Sequence, residues 1–187
     1  MKKNNIVVFL ILMLFAHNLM GQSKQVVKFE TAKDTKAKLE NKSASGFEFS
    51  AAIPQLKFVT RETPAGGFYQ IQDKQLMKTF RKGHPDLPVI SKLIEIPLGA
   101  EVHVEVLSYD LEVIDLAQRG IKNKLYPAQP SPSKCADGKA TEFFYNQKAY
   151  NTDEFLGDKI VRVEERGVMR YMRFGRLQIA PLKYNPV

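Results

Sequence analysis

The chain has 187 residues, a formal net charge of +8, one cysteine and three histidines. A lone cysteine excludes an internal disulfide, so a fold of single-domain length has to rest on a hydrophobic core. The positive balance suits an acidic protein, an anionic lipid or a nucleic acid as partner, and export would make nucleic acid the weakest of these.

Export is what the N-terminus predicts. Lys2 and Lys3 precede an unbroken apolar run, Ile6–Ala16, and Met20-Gly21 then meets the polar Gln22-Ser23-Lys24. Charge, apolar core and small residue in that order read as a secretory signal peptide over residues 1–21. The run is too short to span a bilayer, which takes about 20 apolar residues. The residue after the expected cut is not cysteine, which argues against a lipid anchor. The expectation is a protein secreted through the periplasm to the cell surface or medium, with no membrane segment after cleavage.

Residues 22–45 are polar and lysine-rich around one apolar patch, Val26–Phe29, and read as a mobile lead-in with room for one strand at that patch. From Gly46 the pattern turns to period two, which is the signature of half-buried strands. Phe47 and Phe49 alternate with Glu48 and Ser50. Leu56, Phe58 and Phe68–Ile71 follow, with Thr63–Gly67 as the turn between them. Val89–Ile96 is an aliphatic strand bounded by Pro88 and Pro97. Val102, Val104 and Val106 alternate with Glu101, His103 and Glu105, and Leu111, Val113 and Ile114 continue that ribbon. Ile160–Val163 and Val168–Ile179 close the chain. The pattern predicts an all-β fold, an antiparallel β-sandwich, with at most one short helix at Asp73–Phe80, where Leu76, Met77 and Phe80 fall at helical spacing.

Tyr126–Lys139 breaks the strand rhythm with Pro127, Pro130, Pro132 and Gly138. Proline lacks the N–H that a central strand needs, so this is a long, stiff, exposed loop, and loops of that kind are often functional. No catalytic set accompanies it. His103 lies on the polar face of its ribbon, and His84 sits in a turn before Pro85. No Cys–His pair, metal-ligand spacing or glycine-rich phosphate loop stands out, so no catalytic residue, metal or cofactor is expected. Arg162, Arg166, Arg170, Arg173 and Arg176 are interleaved with Tyr171 and Phe174. Solvated strand faces explain that bias better than a stacking surface for single-stranded nucleic acid.

Three motifs, in order, carry a resemblance: Gly83-His84-Pro85-Asp86-Leu87-Pro88 with Ile96-Pro97-Leu98-Gly99 after it, then Tyr150-Asn151-Thr152-Asp153-Glu154-Phe155, then Ala180-Pro181-Leu182-Lys183-Tyr184-Asn185-Pro186. Together they resemble the N-terminal propeptide of gingipain-type cysteine peptidases, family C25, over about Gly46 to Val187. The resemblance implies an all-β domain from Bacteroidetes-type bacteria. It implies a domain that assists folding of a cysteine peptidase catalytic domain and keeps the zymogen latent by covering its cleft, in cis or in trans. It also implies that a further strand would follow Tyr184-Asn185-Pro186, so the chain is expected to be a fragment or an early-terminated reading frame. In Arg- and Lys-specific members a basic loop residue mimics substrate. The Pro-rich loop is the corresponding place here, which makes Pro127, Pro130, Pro132, Lys134 and Cys135 the expected partner-binding residues, with Lys134 the nearest chemical equivalent. The competing expectation is a stand-alone secreted β-sandwich adhesin or ligand-binding module.

Overall fold

The structure, a computed structural model, describes residues 24–29, 36–43, 45–73, 76–78, 81–131 and 142–187. The expected signal peptide over 1–21 lies outside them. Nine strands and one helical turn follow in order: β1 Lys24–Lys28, β2 Lys36–Glu40, β3 Glu48–Ala52, β4 Gln55–Thr63, β5 Gly66–Ile71, β6 Met77–Lys78, β7 Pro88–Ile96, α1 Gln147–Tyr150, β8 Val161–Met169 and β9 Met172–Ile179. They form sheets β1-β4-β5, β2-β3 and β6-β7-β9-β8, with every strand pair antiparallel.

Alternation explains which faces are buried. On β4, Leu56 and Phe58 point inward while Lys57 faces water, and Phe58 pairs with Ile71 of β5. The β4–β5 turn closes where expected: the Thr63 hydroxyl donates to the Gly66 carbonyl at 2.7 Å and accepts from the Ala65 N–H at 3.2 Å. Val27 of β1, Leu56 and Phe58 of β4 and Ile71 of β5 meet Leu87, Ile90 of β7, Ile121 and Leu125 in one buried cluster, with Ile179 packed against it. The β1-β4-β5 sheet thus lies against the β7–β9 side across a shared core, the sandwich arrangement that the alternation predicts. Each large side chain buried there contributes about 1.5–3 kcal/mol relative to exposure. Truncating Phe58, which is 1% exposed, would cost about 3–5 kcal/mol.

Three local expectations are corrected. The lead-in is more structured than one mobile patch: Val27 is a core residue, β1 pairs with β4, and β2 pairs with β3. The helix expected over Asp73–Phe80 is absent at Met77–Lys78, which pair as β6 with Val89 and Pro88. Helical spacing of three apolar residues is outweighed there by the open edge of β7, and the helical turn falls instead at Gln147–Tyr150. The ribbon expected at Val102–Ile114 forms no sheet. Residues 101–113 make no backbone–backbone hydrogen bond among the described residues, and Val104, Val106, Leu107, Leu111 and Val113 are exposed. Alternation reports an extended chain that fits a pleated surface; a strand also needs a neighbour, and none among the described residues pairs with it. Only the end of this strap, Ile114 and Leu116, packs on the core.

A clamped loop at one end of the sandwich

The segment from Lys124 to Ala128 runs between β5 and the Gly83–Asp86 turn and is held on both sides. On one side Tyr69 of β5 donates to the Lys124 carbonyl at 2.9 Å, and Tyr126 donates back to the Tyr69 carbonyl at 2.8 Å. On the other side the Asp86 N–H donates to the Tyr126 carbonyl at 2.9 Å, the Ala128 N–H to the His84 carbonyl at 2.8 Å, and the Gly83 N–H to the Ala128 carbonyl at 2.8 Å. Gly83 takes φ +76°, and a Cβ there would lie 3.2 Å from the Asn146 nitrogen, so glycine is required on two counts. Its carbonyl accepts from that same Asn146 N–H at 3.0 Å.

The other two motifs close on the same place. Tyr150 is fully buried, and its hydroxyl donates to the Leu125 carbonyl at 2.6 Å. Burial pushes that phenol far above its ordinary pKa, so it stays a donor across the physiological range. Tyr184 and Leu156 exchange backbone hydrogen bonds at 2.9 Å each, and Asn185 Nδ2 donates to Asp153 Oδ1 at 2.6 Å. Burial also raises the Tyr184 phenol, with a hydrogen bond from the Leu125 backbone opposing it. Phe68, Tyr126, Phe143, Tyr145 and Tyr150 fill the space between, with ring centroids 4.8–6.4 Å apart. Edge and tilted contacts of this kind stabilise beyond simple burial, by about 0.5–1.5 kcal/mol per pair. Motifs that are scattered along the sequence therefore meet around Leu125.

From this base the Pro-rich loop departs at Pro127 and returns at Phe144. Gln129 clips its two ends: Nε2 donates to the Pro127 carbonyl at 3.0 Å and to the Phe144 carbonyl at 2.8 Å, and Oε1 accepts from the Phe144 N–H at 2.9 Å. Asn146 caps α1 through Oδ1, which accepts from Ala149 N–H at 3.2 Å, and this turns Nδ2 toward His84 Nε2 at 3.2 Å. His84 is held below its ordinary pKa by burial and by the neighbouring Arg81 charge. Asp86 is raised by burial, against the pull of Lys78, whose Nζ lies 3.1 Å from Oδ2.

Of the expected partner-binding residues, Pro127 has its side chain fully buried and pairs with Pro85, so it anchors the base of the loop. Pro130 is exposed. Pro132, Lys134 and Cys135 lie outside the described residues. Sequence reasoning missed Gln129, Asn146 and Tyr150 as anchors. Tyr150 opens a quoted motif, but nothing in its context signals the distant Leu125 carbonyl. No group of three or more His, Cys, Asp or Glu among the described residues could hold a metal ion. No helix among them is long and apolar enough to cross a membrane.

The family model Propeptide_C25 matches residues 29–187. The chain belongs to that family. It is similar to Lys-gingipain of Porphyromonas gingivalis, 34% identical over 180 residues that make up 95% of this chain and 10% of the relative. Gingipain R1 of the same organism is 26% identical over 152 residues, 80% of this chain and 14% of that relative. The chain thus spans about a tenth of the length of the Lys-gingipain it matches. Among solved structures, the one that gives insight into zymogenic latency of gingipain K from P. gingivalis superposes with a TM-score of 0.80 at 33% identity, covering 88% of this chain and 89% of that one. The complex of RgpB pro- and mature domains shares the fold, with a TM-score of 0.57 at 23% identity, covering 91% and 73%. This C25 propeptide domain therefore has the antiparallel β fold that its motifs implied.

Proposed function

We propose that the domain is exported and acts on a gingipain-like C25 cysteine peptidase domain, in cis within a longer precursor or in trans, assisting its folding and covering its active-site cleft. It performs no catalysis itself. The observation that carries this reading is the convergence of all three propeptide motifs on the base of one Pro-rich loop, with Gln129 fastening the two ends. A loop stiffened by proline and clipped at its base loses little conformational entropy when it docks. The exposed Pro130 leads toward Lys134, a cation suited to an acidic specificity pocket, and the net positive charge favours encounter with an acidic cleft. Family membership and the likeness to the gingipain K structure support the same reading.

The test is to titrate the chain from Gln22 onward into the mature C25 peptidase of the same organism. Inhibition competitive with a peptide substrate, together with a higher yield of active peptidase on refolding, is expected. Neither effect at micromolar concentrations would reject the reading.

A further inference from the structure

The strap at residues 101–113 starts beside an open sheet edge. Among the described residues β8 pairs only with β9, so its outer side is the edge of the β6-β7-β9-β8 sheet. Arg173 of β9 ties the root of the strap to that strand. Its Nη1 donates to the Ala100 carbonyl at 2.6 Å, and its Nε donates to Glu165 Oε2 of β8 at 3.1 Å. One side chain thus bridges Ala100 to the middle of β8. The direction of the strap is set as well. β7 and β8 are both antiparallel to β9, so they run the same way. The strap leaves the Ile96 end of β7, and beyond it Ile114 and Leu116 pack on the cluster that holds Leu87 and Ile90, at the Pro88 end. It therefore travels counter to β8, as an antiparallel partner must.

One register matches charge and apolar residues together. It sets Val102, the second residue past Ala100, opposite Glu165. Val104 then meets Val163, and Val106 meets Val161. Val161 and Val163 pair with Ile179 and Leu177, so they lie on the face that Ile179 packs against the core. Val104 and Val106, which are exposed, would extend that apolar face. On the other face Glu105 meets Arg162, His103 meets Glu164, and Glu101 meets Arg166 at the bulge that ends regular pairing. Those two arginines share one carboxylate, since Glu164 lies 3.4 Å from Arg162 and 2.7 Å from Arg166. The strap can supply the missing negative charge, having no Lys or Arg anywhere between Lys92 and Arg119. A slip of one residue would turn the valines to the charged face and lose both matches.

We infer that residues 101–106 are a fifth strand of this sheet held open, a strap poised to close on the outer edge of β8 of its own chain in that register. The structure shows the open form, and the closed form is a minor state of the free chain. The inference goes beyond the propeptide reading and does not depend on it. Closure joins two rows of unpaired backbone N–H and C=O groups, and it removes β8 as a template on which another chain could add a strand. Because Arg173 already holds Ala100 against Glu165, closure brings no distant ends together. The entropy of ordering six residues opposes it and keeps the two forms close in free energy.

The test traps the closed strand with a disulfide. Val104→Cys and Val163→Cys are placed in the chain from Gln22 onward, with Cys135→Ser, and bridge formation under oxidised glutathione is followed by mass and non-reducing electrophoresis. Opposite residues of an antiparallel pair have Cα atoms about 4.5–5.5 Å apart, within disulfide reach. A bridge within one chain is expected, forming about tenfold faster than between His103→Cys and Val163→Cys, which point to opposite faces in this register. Val106→Cys with Val161→Cys, an independent pair in the same register, is expected to match the first. Glu105→Lys should slow the 104–163 bridge about fivefold, and adding Arg162→Glu should restore it. In the bridged chain the amides of 102–106 should become protected from hydrogen exchange. Equal rates for the 104–163 and 103–163 pairs, or a charge swap that restores nothing, would overturn the proposal. Bridges that form only between chains would overturn closure within the chain and assign the pairing to a second copy.

Discussion

Gln129 binds both backbone polar groups of Phe144: its Nε2 donates to the carbonyl at 2.8 Å and its Oε1 accepts from the N–H at 2.9 Å. One side chain thereby does for the Pro-rich loop what a ladder of strand hydrogen bonds does for a hairpin. Prolines at 127 and 130 could not supply such a ladder.

Gln129→Ala should accordingly cost about 1–3 kcal/mol, because it leaves part-buried backbone groups of Phe144 and Pro127 without their partner. Urea denaturation checks this, with limited proteolysis locating faster cleavage between residues 130 and 143. An unchanged urea midpoint and cleavage rate would mean the loop ends are held elsewhere.

His84 gives the loop base a pH dependence. Asn146 Oδ1 is committed to Ala149, so its Nδ2 faces His84 Nε2 as a donor, and only a neutral imidazole can accept there. The folded-state pKa of His84 lies below its ordinary 6.5, through burial first and Arg81 second. The unfolded chain therefore binds the proton more readily, and stability rises with pH in this window. The contribution is complete above the ordinary value and is lost as pH falls through it toward the folded-state value. Between pH 7.5 and 5.5 the wild-type melting temperature should fall further than that of His84→Gln, whose amide accepts without titrating. Parallel pH profiles for the two proteins would contradict this.

The strap at residues 101–113 carries a different prediction. Its backbone has no backbone hydrogen-bond partner among the described residues, and its acids Glu101, Glu105, Asp110 and Glu112 stand among exposed valines and leucines. Amide hydrogen exchange in 102–113 should be complete within seconds at neutral pH, while β4 and β7 remain protected. Slow exchange across the strap would show that it is paired in solution.

How far the fold was legible follows from which residues carry their own signal. Phe58 and Ile71 flank a Pro-Ala-Gly-Gly turn, and Val89–Ile96 is bounded by prolines, so β4, β5 and β7 are readable from pattern and punctuation alone. Met77 misled because helical spacing over one turn is weak evidence against an available strand edge. Val102–Val113 misled in the opposite sense, since its alternation is sound but a strand exists only beside another. The three motifs were readable as motifs. That Tyr150, Gly83 and Tyr184 all close on the 124–128 segment was not, because it depends on contacts between residues 25 to 62 positions apart, such as Tyr150 with Leu125 and Asn146 with His84.

The central claim is that the Pro127–Phe144 loop masks a C25 peptidase. Its most direct test is inhibition of that peptidase in trans by the chain from Gln22, with and without residues 131–138. The wild-type chain should inhibit; the excised chain, with β content intact by circular dichroism, should lose inhibition, and Lys134→Ala should weaken it by more than the roughly 0–1 kcal/mol expected of an exposed surface charge. Inhibition undiminished by the excision would contradict the account and move masking to another surface of the domain.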